Sequence, residues 1–281
     1  KIHANVLKIE VFMSKTILIT GSTDGIGKLT AINLAKDGHK IYVHGRNKEK
    51  LQGVILEIKE VSGNTKIDGF VADFSDLEDV KQMANNISNK VSKIDILINN
   101  AGIFKTSATS HFKEFDIRLV VNYFAPYVLT NTILPILKKS ESPRIINLSS
   151  AAQSHVTDAM IAGVGNTNAS EAYAQSKLAL TMWSFALAKA NPGIIIIAVN
   201  PGSLLNTNMA NEAYGQHWSP ATKGCDILYD LAISESYNES TGKYFDNDKG
   251  NPKGDFARAH PDAYDEELIT KLVIKTEKLV S

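Results

Sequence analysis

Two side chains that could move a proton together stand four residues apart, at Tyr173 and Lys177. In a helix, residues i and i+4 share one face, so the phenol and the ammonium would lie side by side. A free tyrosine has a pKa of about 10 and a free lysine one of about 10.4, so neither alone is suited to proton transfer at neutral pH. A fixed positive charge beside a phenol lowers its pKa. The pair therefore predicts general acid–base chemistry.

A glycine-rich turn near the N-terminus predicts a site for a dinucleotide. An apolar strand at 16–20 leads directly into Gly21, Gly25 and Gly27, and an apolar helical pattern follows at 28–36. The first glycine would allow the tight turn, the second would let the backbone approach a pyrophosphate, and the third would let the helix pack near the strand. Backbone N–H groups at the helix start would then meet the phosphates. An ordinary glycine-rich turn between strand and helix is the alternative.

Together, these and later motifs resemble the short-chain dehydrogenase/reductase family over about residues 15–207. The matching segments, in chain order, are Thr20 to Gly27, Asp73, Asn99-Asn100-Ala101-Gly102, Asn122, Ser150, Tyr173 with Lys177, Pro201-Gly202 and Thr207. The glycine spacing is similar to the short branch of the family rather than the extended, epimerase-like branch. Ser150 and Tyr173 lie 23 residues apart, a long gap that resembles the retinol-dehydrogenase-like reductases.

The resemblance implies a catalytic tetrad of Asn122, Ser150, Tyr173 and Lys177. Tyr173 would give its proton to a carbonyl oxygen, and Ser150 would hydrogen-bond that oxygen. Lys177 would lower the pKa of Tyr173 and bind the nicotinamide ribose, while Asn122 would anchor a water that links Lys177 to solvent. A catalytically idle NADP(H) sensor or scaffold of the same fold is the rival function. Such a protein is expected to lack tetrad members, and all four are present here.

The choice of serine rests on spacing, since Ser149 is adjacent to Ser150. The family's serine normally lies three residues after the position of Asn147, which favours Ser150. The segment that follows, 154–169, is rich in glycine and asparagine and is interpreted as a loop.

The resemblance also implies NADP(H) as the cofactor, with NAD(H) as the alternative. The residues implied to bind it are Thr20, Gly21, Ser22, Thr23, Asp24, Gly25, Ile26, Gly27, Arg46, Asp73, Asn100, Ala101, Gly102, Tyr173, Lys177, Pro201, Gly202 and Thr207. An acidic residue at the end of the second strand would bind the ribose 2′-OH of NAD. Gly45 stands there and Arg46 follows, whose guanidinium could pair with a 2′-phosphate. We therefore expect a preference for NADP(H).

Charge and cysteine content restrict the partners and the compartment. With 30 basic and 30 acidic residues, the chain is not expected to bind nucleic acid through bulk charge. Cys225 is the only cysteine, so neither an intrachain disulfide nor a cysteine-based metal site is expected, and the cytoplasm is the predicted compartment. The histidines lack ligand spacing, so no metal is predicted. No membrane span is predicted, because no apolar run approaches about 18–20 residues.

Alternating strand and helix patterns predict one α/β domain at 13–281, with 1–12 as an N-terminal extension outside the core. Strands are expected at 16–20, 40–44, 66–71, 94–98, 143–148, 193–199 and 243–245, and helices at 25–37, 47–60, 76–90, 112–138, 171–190, 221–234 and 266–279. Such alternation predicts a Rossmann-type, doubly wound parallel sheet of about seven strands with helices on both faces. Thr20, Asp73, Asn99 and Ser150 follow strand ends and should collect at one rim.

Two segments are expected to line the substrate site. The candidate lid at 203–220 supplies Leu204, Leu205, Met209, Tyr214 and Trp218, and the insert supplies Val156, Met160, Ile161 and Val164. Neither segment offers an Arg or Lys, so we expect an uncharged, largely apolar aldehyde, ketone or alcohol as the small-molecule substrate. An incidental surface loop is the alternative for the lid.

The helix at 171–190 is apolar on more than one face, since Leu178, Met182, Trp183 and Phe185 cannot all point at one sheet. A helix that is apolar all round is buried on both sides. In the family this helix often lies at a dimer interface, so a homodimer or homotetramer is expected. Burial beneath the chain's own C-terminal tail is the alternative.

Overall fold

The computed structural model describes residues 14–110, 112–164, 168–207, 209, 211, 215, 217–250 and 253–281; the predicted extension at 1–12 lies outside them. Eight strands form one sheet: β1 Thr16–Ile19, β2 Lys40–Gly45, β3 Ile67–Val71, β4 Ile96–Asn99, β5 Arg144–Leu148, β6 Ile195–Asn200, β7 Lys243–Asp246 and β8 Asp255–Ala257. The order is β3-β2-β1-β4-β5-β6-β7-β8, and only β7 and β8 pair antiparallel. The predicted doubly wound α/β architecture is confirmed.

The predicted helices also form. They are α1 Gly25–Lys36, α2 Lys48–Ser62, α3 Leu77–Lys90, α4 Ile117–Leu119, α5 Ala125–Leu137, α6 Asp158–Ile161, α7 Ala169–Ala190, α8 Ala221–Ile233 and α9 Glu266–Val280. Asn47 and Asp76 cap α2 and α3, each accepting a backbone N–H of the first turn. The helix expected from 112 begins later, because Asp116 caps it by accepting from the backbone N–H of Arg118.

The helices form two layers around the sheet. Ile17 and Ile19 of β1 belong to one buried cluster, with α1, α2 and α8, whereas Leu18 belongs to the other, with α3, α5, α7 and α9. Successive side chains of a strand point to opposite faces, so a strand that is apolar throughout must be covered on both. The order reverses between β1 and β4, which places the glycine turn after β1 beside the segment after β4. Ligands of such folds bind at this switch point.

One helical stretch among the described residues, Ile117–Leu137, has the length and apolarity of a membrane span, with 21 residues and a mean hydropathy of 1.3. In the sequence it is not a continuous apolar run, because Arg118 and Asn122 interrupt it, and no span is predicted there. The most apolar 18-residue window of this stretch is 78% buried inside the protein. A buried core helix meets the same criteria, so this stretch is weak evidence for a span.

The C-terminal segment covers α5 and α7. The Tyr123 hydroxyl, just before α5, and the Thr276 hydroxyl of α9 lie 2.8 Å apart in a buried hydrogen bond. The rings of Phe185 and Tyr264 lie 5.4 Å apart, and Lys189 pairs with Glu266 at 2.9 Å. The apolar faces of α7 that led to the homo-oligomer prediction are therefore buried by the chain's own tail, which was the alternative explanation.

The tail also holds the insert between β5 and α7, which contains the short helix α6 and is not all loop. Lys271 and Lys275 each approach Asp158 at 2.7 Å, and these two ammonium groups lower the pKa of Asp158 to about 2. His155 pairs with Asp262 at 2.6 Å. The insert is thus fixed by residues more than 100 positions away in the chain.

The short strand β8 was missed by sequence reading. Tyr244 pairs with Ala257 in this strand. A turn at Gly254, with φ of 72°, precedes it, and a Cβ there would come within 2.7 Å of the Asn247 Cα. A run of three residues is too short to show an alternating pattern.

Candidate active site

The backbone angles and the close packing of the turn between β1 and α1 favour residues without a side chain. Gly21 and Gly25 have φ of 61° and 54°, a region that favours glycine. A Cβ on Gly27 would lie 2.4 Å from the Asn100 amide nitrogen and 2.9 Å from the Gly21 carbonyl oxygen. A Cβ on Gly25 would lie 3.7 Å from the Thr207 methyl carbon, so Thr207 lies over the turn. The predicted turn and Thr207 are therefore brought together.

The turn is joined to the end of β4 by the polar side chains of Thr20 and Asn100. The Thr20 hydroxyl accepts from the backbone N–H groups of Asn100 and Ala101, both at 3.0 Å. The Asn100 amide donates to the carbonyls of Thr20 and Gly21, at 2.8 and 2.9 Å. Thr20 is buried, so its side chain shapes the turn instead of facing a ligand.

His44 at the end of β2 holds the same turn from the other side, a contact that the sequence reading missed. Its Nδ1 accepts from the Gly21 N–H at 3.0 Å, and its Nε2 lies 3.0 Å from the Ala72 carbonyl oxygen. The Ser22 hydroxyl is fully buried and donates to the Ile19 carbonyl at 2.7 Å, which makes it another shaping residue. Burial lowers the pKa of His44 to about 4, so its ring is neutral at pH 7.

Around this turn, the cofactor candidates differ in exposure. Ile26 is buried in the core, whereas Thr23 is partly exposed and Asp24 exposed. Asp24 caps α1 by accepting from the Gly25 N–H at 2.8 Å, and its other oxygen pairs with Lys50 at 2.8 Å. That ammonium offsets the carboxylate at a helix start where phosphate is expected.

Arg46 and Asp73 lie at the ends of β2 and β3, on the same rim. Arg46 is exposed, as pairing with a phosphate requires. Asp73 is half-buried, and one of its oxygens accepts from both the N–H and the hydroxyl of Ser75. Part of Asp73 is thus used to order the turn before α3.

Tyr173 and Lys177 lie in α7, as predicted. The Lys177 Nζ is 5.6 Å from the centre of the Tyr173 ring and donates to the Leu148 carbonyl at 2.7 Å. Lys177 is 4% exposed, and burial lowers its pKa to about 8. The Phe104 ring packs edge-on against Tyr173 at 4.9 Å. The ammonium therefore lies beside the Tyr173 ring in a buried place, where water screens its field little.

Asn122 lies in a single π turn, Val120–Phe124, between α4 and α5. Such turns are frequent at functional sites. Its side-chain oxygen accepts from the Ile103 N–H at 2.8 Å, and its amide donates to the Ser176 hydroxyl at 3.0 Å. A Cβ on Gly102 would lie 3.3 Å from both the Asn122 oxygen and the Lys177 Nζ. Asn122, Lys177 and the segment after β4 therefore meet at one place.

The two serines at the end of β5 have different surroundings. Ser149 is buried, and its hydroxyl bonds to the Thr181 hydroxyl at 2.7 Å and the Lys177 carbonyl at 3.1 Å. Ser150 is partly exposed, and its Oγ accepts from the Ala152 N–H at 3.1 Å. The geometry therefore favours Ser150 as the serine that a substrate could reach.

The segment after β6 is fixed by residues after β7. The Gly202 φ is 123°, and the Asn247 amide donates to the Pro201 carbonyl at 2.8 Å. In the candidate lid, Leu205 is buried whereas Trp218 is 73% exposed. Tyr214 lies outside the described residues.

The insert departs from the expected lining of the substrate site. Val156, Met160 and Ile161 are buried in the core, and Val156 and Ile161 line a small cavity together with Leu268 and Leu272 of α9. Val164 is 60% exposed. Of the four apolar side chains expected from the insert, only this one faces solvent.

The described residues fit a dinucleotide cofactor. The glycine turn opens at the start of α1, and the missing side chain of Gly102 leaves space next to the Lys177 ammonium. Polar groups thus stand at both ends of the expected site. A cavity of about 660 Å³ lies elsewhere, between α1 and α8, and none of the four tetrad candidates lines it. Among all the residues that the structure describes, no three His, Cys, Asp or Glu side chains cluster as metal ligands.

The family model described as short chain dehydrogenase matches residues 15–217. Retinol dehydrogenase 13 of Homo sapiens is 30% identical over 286 residues, covering 95% of this chain and 84% of that protein. Polyprenol dehydrogenase of Homo sapiens is 32% identical over 212 residues, covering 71% and 63%. A short chain dehydrogenase of Escherichia coli CFT073 complexed with NADPH has a TM-score of 0.68 at 27% identity, covering 84% and 97%.

Proposed function

The chain belongs to the short-chain dehydrogenase family, and we propose that it interconverts an uncharged, largely apolar aldehyde or ketone and the matching alcohol with NADP(H). The observation that carries the proposal is the buried Lys177 ammonium beside the Tyr173 ring, at 5.6 Å from its centre. Bound NADP(H) would supply or accept the hydride. The protein's own groups would position the substrate and move the proton.

In the reducing direction, Tyr173 donates its hydroxyl proton to the carbonyl oxygen of the substrate. Because the pKa of Lys177 is lowered only to about 8, its ammonium remains the main form at pH 7. That charge favours the phenolate left by proton transfer. The Ser150 hydroxyl hydrogen-bonds the same substrate oxygen and keeps it in line with Tyr173.

Asn122 and Lys177 complete the proposed path of the proton. The Asn122 amide donates to the Ile103 carbonyl and the Ser176 hydroxyl, and its Oδ1 accepts from the Ile103 N–H, which leaves one lone pair of that oxygen for a water. We assign to Asn122 the anchoring of a water beside Lys177. This water would supply the proton that replaces the one given up by Tyr173. Lys177 would also bind the nicotinamide ribose through its remaining N–H groups.

The preference for NADP(H) is supported by the rim of β2. Gly45 carries no carboxylate, and a Cβ there would come within 2.5 Å of the Thr23 methyl carbon. The exposed Arg46 follows and offers a guanidinium to a 2′-phosphate. Arg46→Asp should lower kcat/KM for NADPH more than for NADH, whereas Lys139→Asp, the same charge change far along the chain, should affect neither. A wild-type preference for NADH would contradict this assignment.

Two facts support an apolar substrate. Trp218, Met209 and Val164 expose apolar surface in the candidate lid and insert. Relatives named for retinol and polyprenol, both uncharged alcohols with large hydrocarbon parts, align over most of this chain. In an aliphatic aldehyde series, kcat/KM should rise with chain length at about 25 cal/mol per Å² of apolar area buried. A higher kcat/KM with keto acids or phosphorylated sugars would refute the proposal of an apolar substrate pocket.

The test of the function is Tyr173→Phe, which removes the proposed proton donor and keeps the ring against Phe104. Oxidation of NADPH with an aldehyde, followed by absorbance, should slow by about 10²–10⁴-fold. NADPH binding, measured by fluorescence titration, should persist. Tyr127→Phe, a change on α5 beside Trp183, is the matched control and should keep full activity. Substantial turnover by Tyr173→Phe would exclude the proposed mechanism, whereas a wild-type protein that binds NADPH but turns over no aldehyde, ketone or quinone would favour the idle sensor.

A homodimer or homotetramer remains a proposal, as does a cytoplasmic location. Because α9 covers the face of α7 on which the oligomer was expected, an interface would have to lie elsewhere on the protein. Light scattering at micromolar concentration tests the oligomer.

A further inference from the structure

The carbonyl oxygen of Ser150 accepts two side-chain hydrogen bonds from outside the tetrad. The Tyr244 hydroxyl of β7 donates to it at 2.9 Å, and the Gln153 amide donates to it at 2.9 Å. A carbonyl oxygen has two lone pairs, so these bonds satisfy it fully. The peptide group after Ser150 is thus held in one orientation by a residue 94 positions later in the chain.

Tyr244 is suited to hold this peptide and unsuited to exchange protons. It is 3% exposed, and burial, followed by the charges of Asp246 and Asp248, raises its pKa well above the usual tyrosine value. The hydroxyl therefore stays protonated and remains a donor throughout the neutral range. Tyr244 therefore contacts the serine of the site through its backbone carbonyl, as a permanent donor.

Gln153 is itself fixed by the C-terminal tail. Its side-chain oxygen accepts from the His260 N–H at 3.2 Å, just before the helical turn Pro261–Tyr264. The backbone of Ser150 is therefore held by β7 directly and by the tail through Gln153. Without these bonds, Ser150 would be a loop residue just after β5, and the hydrogen bond from the Ala152 N–H to its Oγ would remain.

We propose that Tyr244 is a positioning residue, which, with Gln153, sets the direction of the Ser150 hydroxyl toward the substrate oxygen. This inference rests on the proposed function, in which Ser150 hydrogen-bonds that oxygen. A misplacement of about 1 Å in a positioned group can cost 10²-fold in rate. Loss of one of the two donors should give a smaller effect, since the other remains.

The first experiment compares Tyr244→Phe with Tyr237→Phe in NADPH oxidation with the best aldehyde of a chain-length series. Tyr237 packs against Phe245 and Phe256 and so lies near β7 without contacting the site, which makes it the matched control. We expect Tyr244→Phe to lower kcat by about tenfold, the equivalent of one neutral hydrogen bond. KM and the Kd of NADPH should stay within about twofold of wild type, because only a hydrogen bond acting on the chemical step is lost. Tyr237→Phe should match wild type.

The second experiment is a double-mutant cycle with Ser150→Ala. If Tyr244 acts through the Ser150 hydroxyl, Tyr244→Phe should have no further effect on kcat once that hydroxyl is absent. A merely structural Tyr244 would lower kcat by the same factor in both backgrounds. Should Tyr244→Phe fail to fold, Gln153→Met removes the second donor and enters the same cycle with the same expectation.

The outcomes for the Tyr244 and Ser150 variants distinguish the positioning role from the proposed function. Wild-type kcat in Tyr244→Phe, or equal losses in both backgrounds, would overturn the positioning role and leave the proposed function intact. Wild-type kcat in Ser150→Ala would overturn the assigned serine, and the positioning role with it. A loss in Tyr244→Phe that disappears in the Ser150→Ala background would establish the role.

Discussion

Acid should destabilise the glycine turn through His44. In the neutral ring, Nδ1 accepts from the Gly21 N–H and the Nε2–H donates to the Ala72 carbonyl, so both nitrogens are satisfied. Protonation would place an N–H against the Gly21 N–H, two donors facing each other. Burial adds a cost for the charged ring and lowers the pKa of His44 from 6.5 to about 4.

The sign and size of the effect follow from this shift. The unfolded chain binds a proton at His44 below a pKa of 6.5, whereas the folded chain binds it only below about 4. The contribution of neutral His44 to stability is therefore complete above pH 6.5 and is lost as the pH falls toward 4. Between pH 7 and pH 5 the loss is about 2 kcal/mol, from 1.36 kcal/mol per pKa unit.

Urea unfolding at pH 7 and pH 5 measures this directly. In His44→Gln, which cannot titrate, the drop in unfolding free energy between the two pH values should be smaller than in wild type by about 2 kcal/mol. His217→Gln, at an exposed histidine, should keep the wild-type drop. The Kd of NADPH should rise on acidification in wild type more than in His44→Gln, because Gly21 belongs to the proposed phosphate site. An identical pH dependence in wild type and His44→Gln would refute the reasoning.

Two further predictions concern pairs of variants with opposite expected behaviour. Gly27→Ala places a methyl group 2.4 Å from the Asn100 amide nitrogen, so it should cost about 1–3 kcal/mol of stability and weaken NADPH binding. Gly53→Ala has open space around it in α2 and should stabilise the protein by about 0.5–1 kcal/mol. Urea unfolding measures the stability of both variants, and fluorescence titration measures their NADPH binding. Ser149→Ala should lose about 1–2 kcal/mol of stability with kcat retained, because its hydroxyl is buried against α7, while Ser150→Ala should lose about 10²-fold in kcat with little change in stability. The reverse result for the two serines would place the reactive hydroxyl at Ser149.

Most of the sheet could be predicted from the sequence because its signals are local. Strands such as Ile195–Asn200 are continuous apolar runs, and helix starts carry capping residues such as Asn47 and Asp76. The glycine turn and the Tyr173–Lys177 spacing also lie within a few residues of chain. Strand β8 has no such signal, because its three residues are defined only by pairing with β7.

The coverage of α7 illustrates why the oligomer could not be decided from the sequence. The helix pattern correctly indicates two apolar faces, but the pattern is the same whether a second copy or the chain's own tail covers them. The sequence predicts the tail helix at 266–279 but does not show which helix it packs against. Contacts such as Tyr123 with Thr276 join residues 153 positions apart, so no window of sequence contains both.

The same limit applies to the site's supporting residues, and there it has a functional consequence. His44, Gln153 and Tyr244 lie in an ordinary strand, a loop and another strand, and none belongs to a recognised spacing. Each nevertheless bonds to the backbone of a residue that the motifs do identify, Gly21 for the first and Ser150 for the other two. Motifs therefore locate the groups that touch cofactor and substrate, while the groups that orient them become visible only when distant strands are brought together. Substitutions at such positions should change rate, affinity or pH dependence while every motif remains intact.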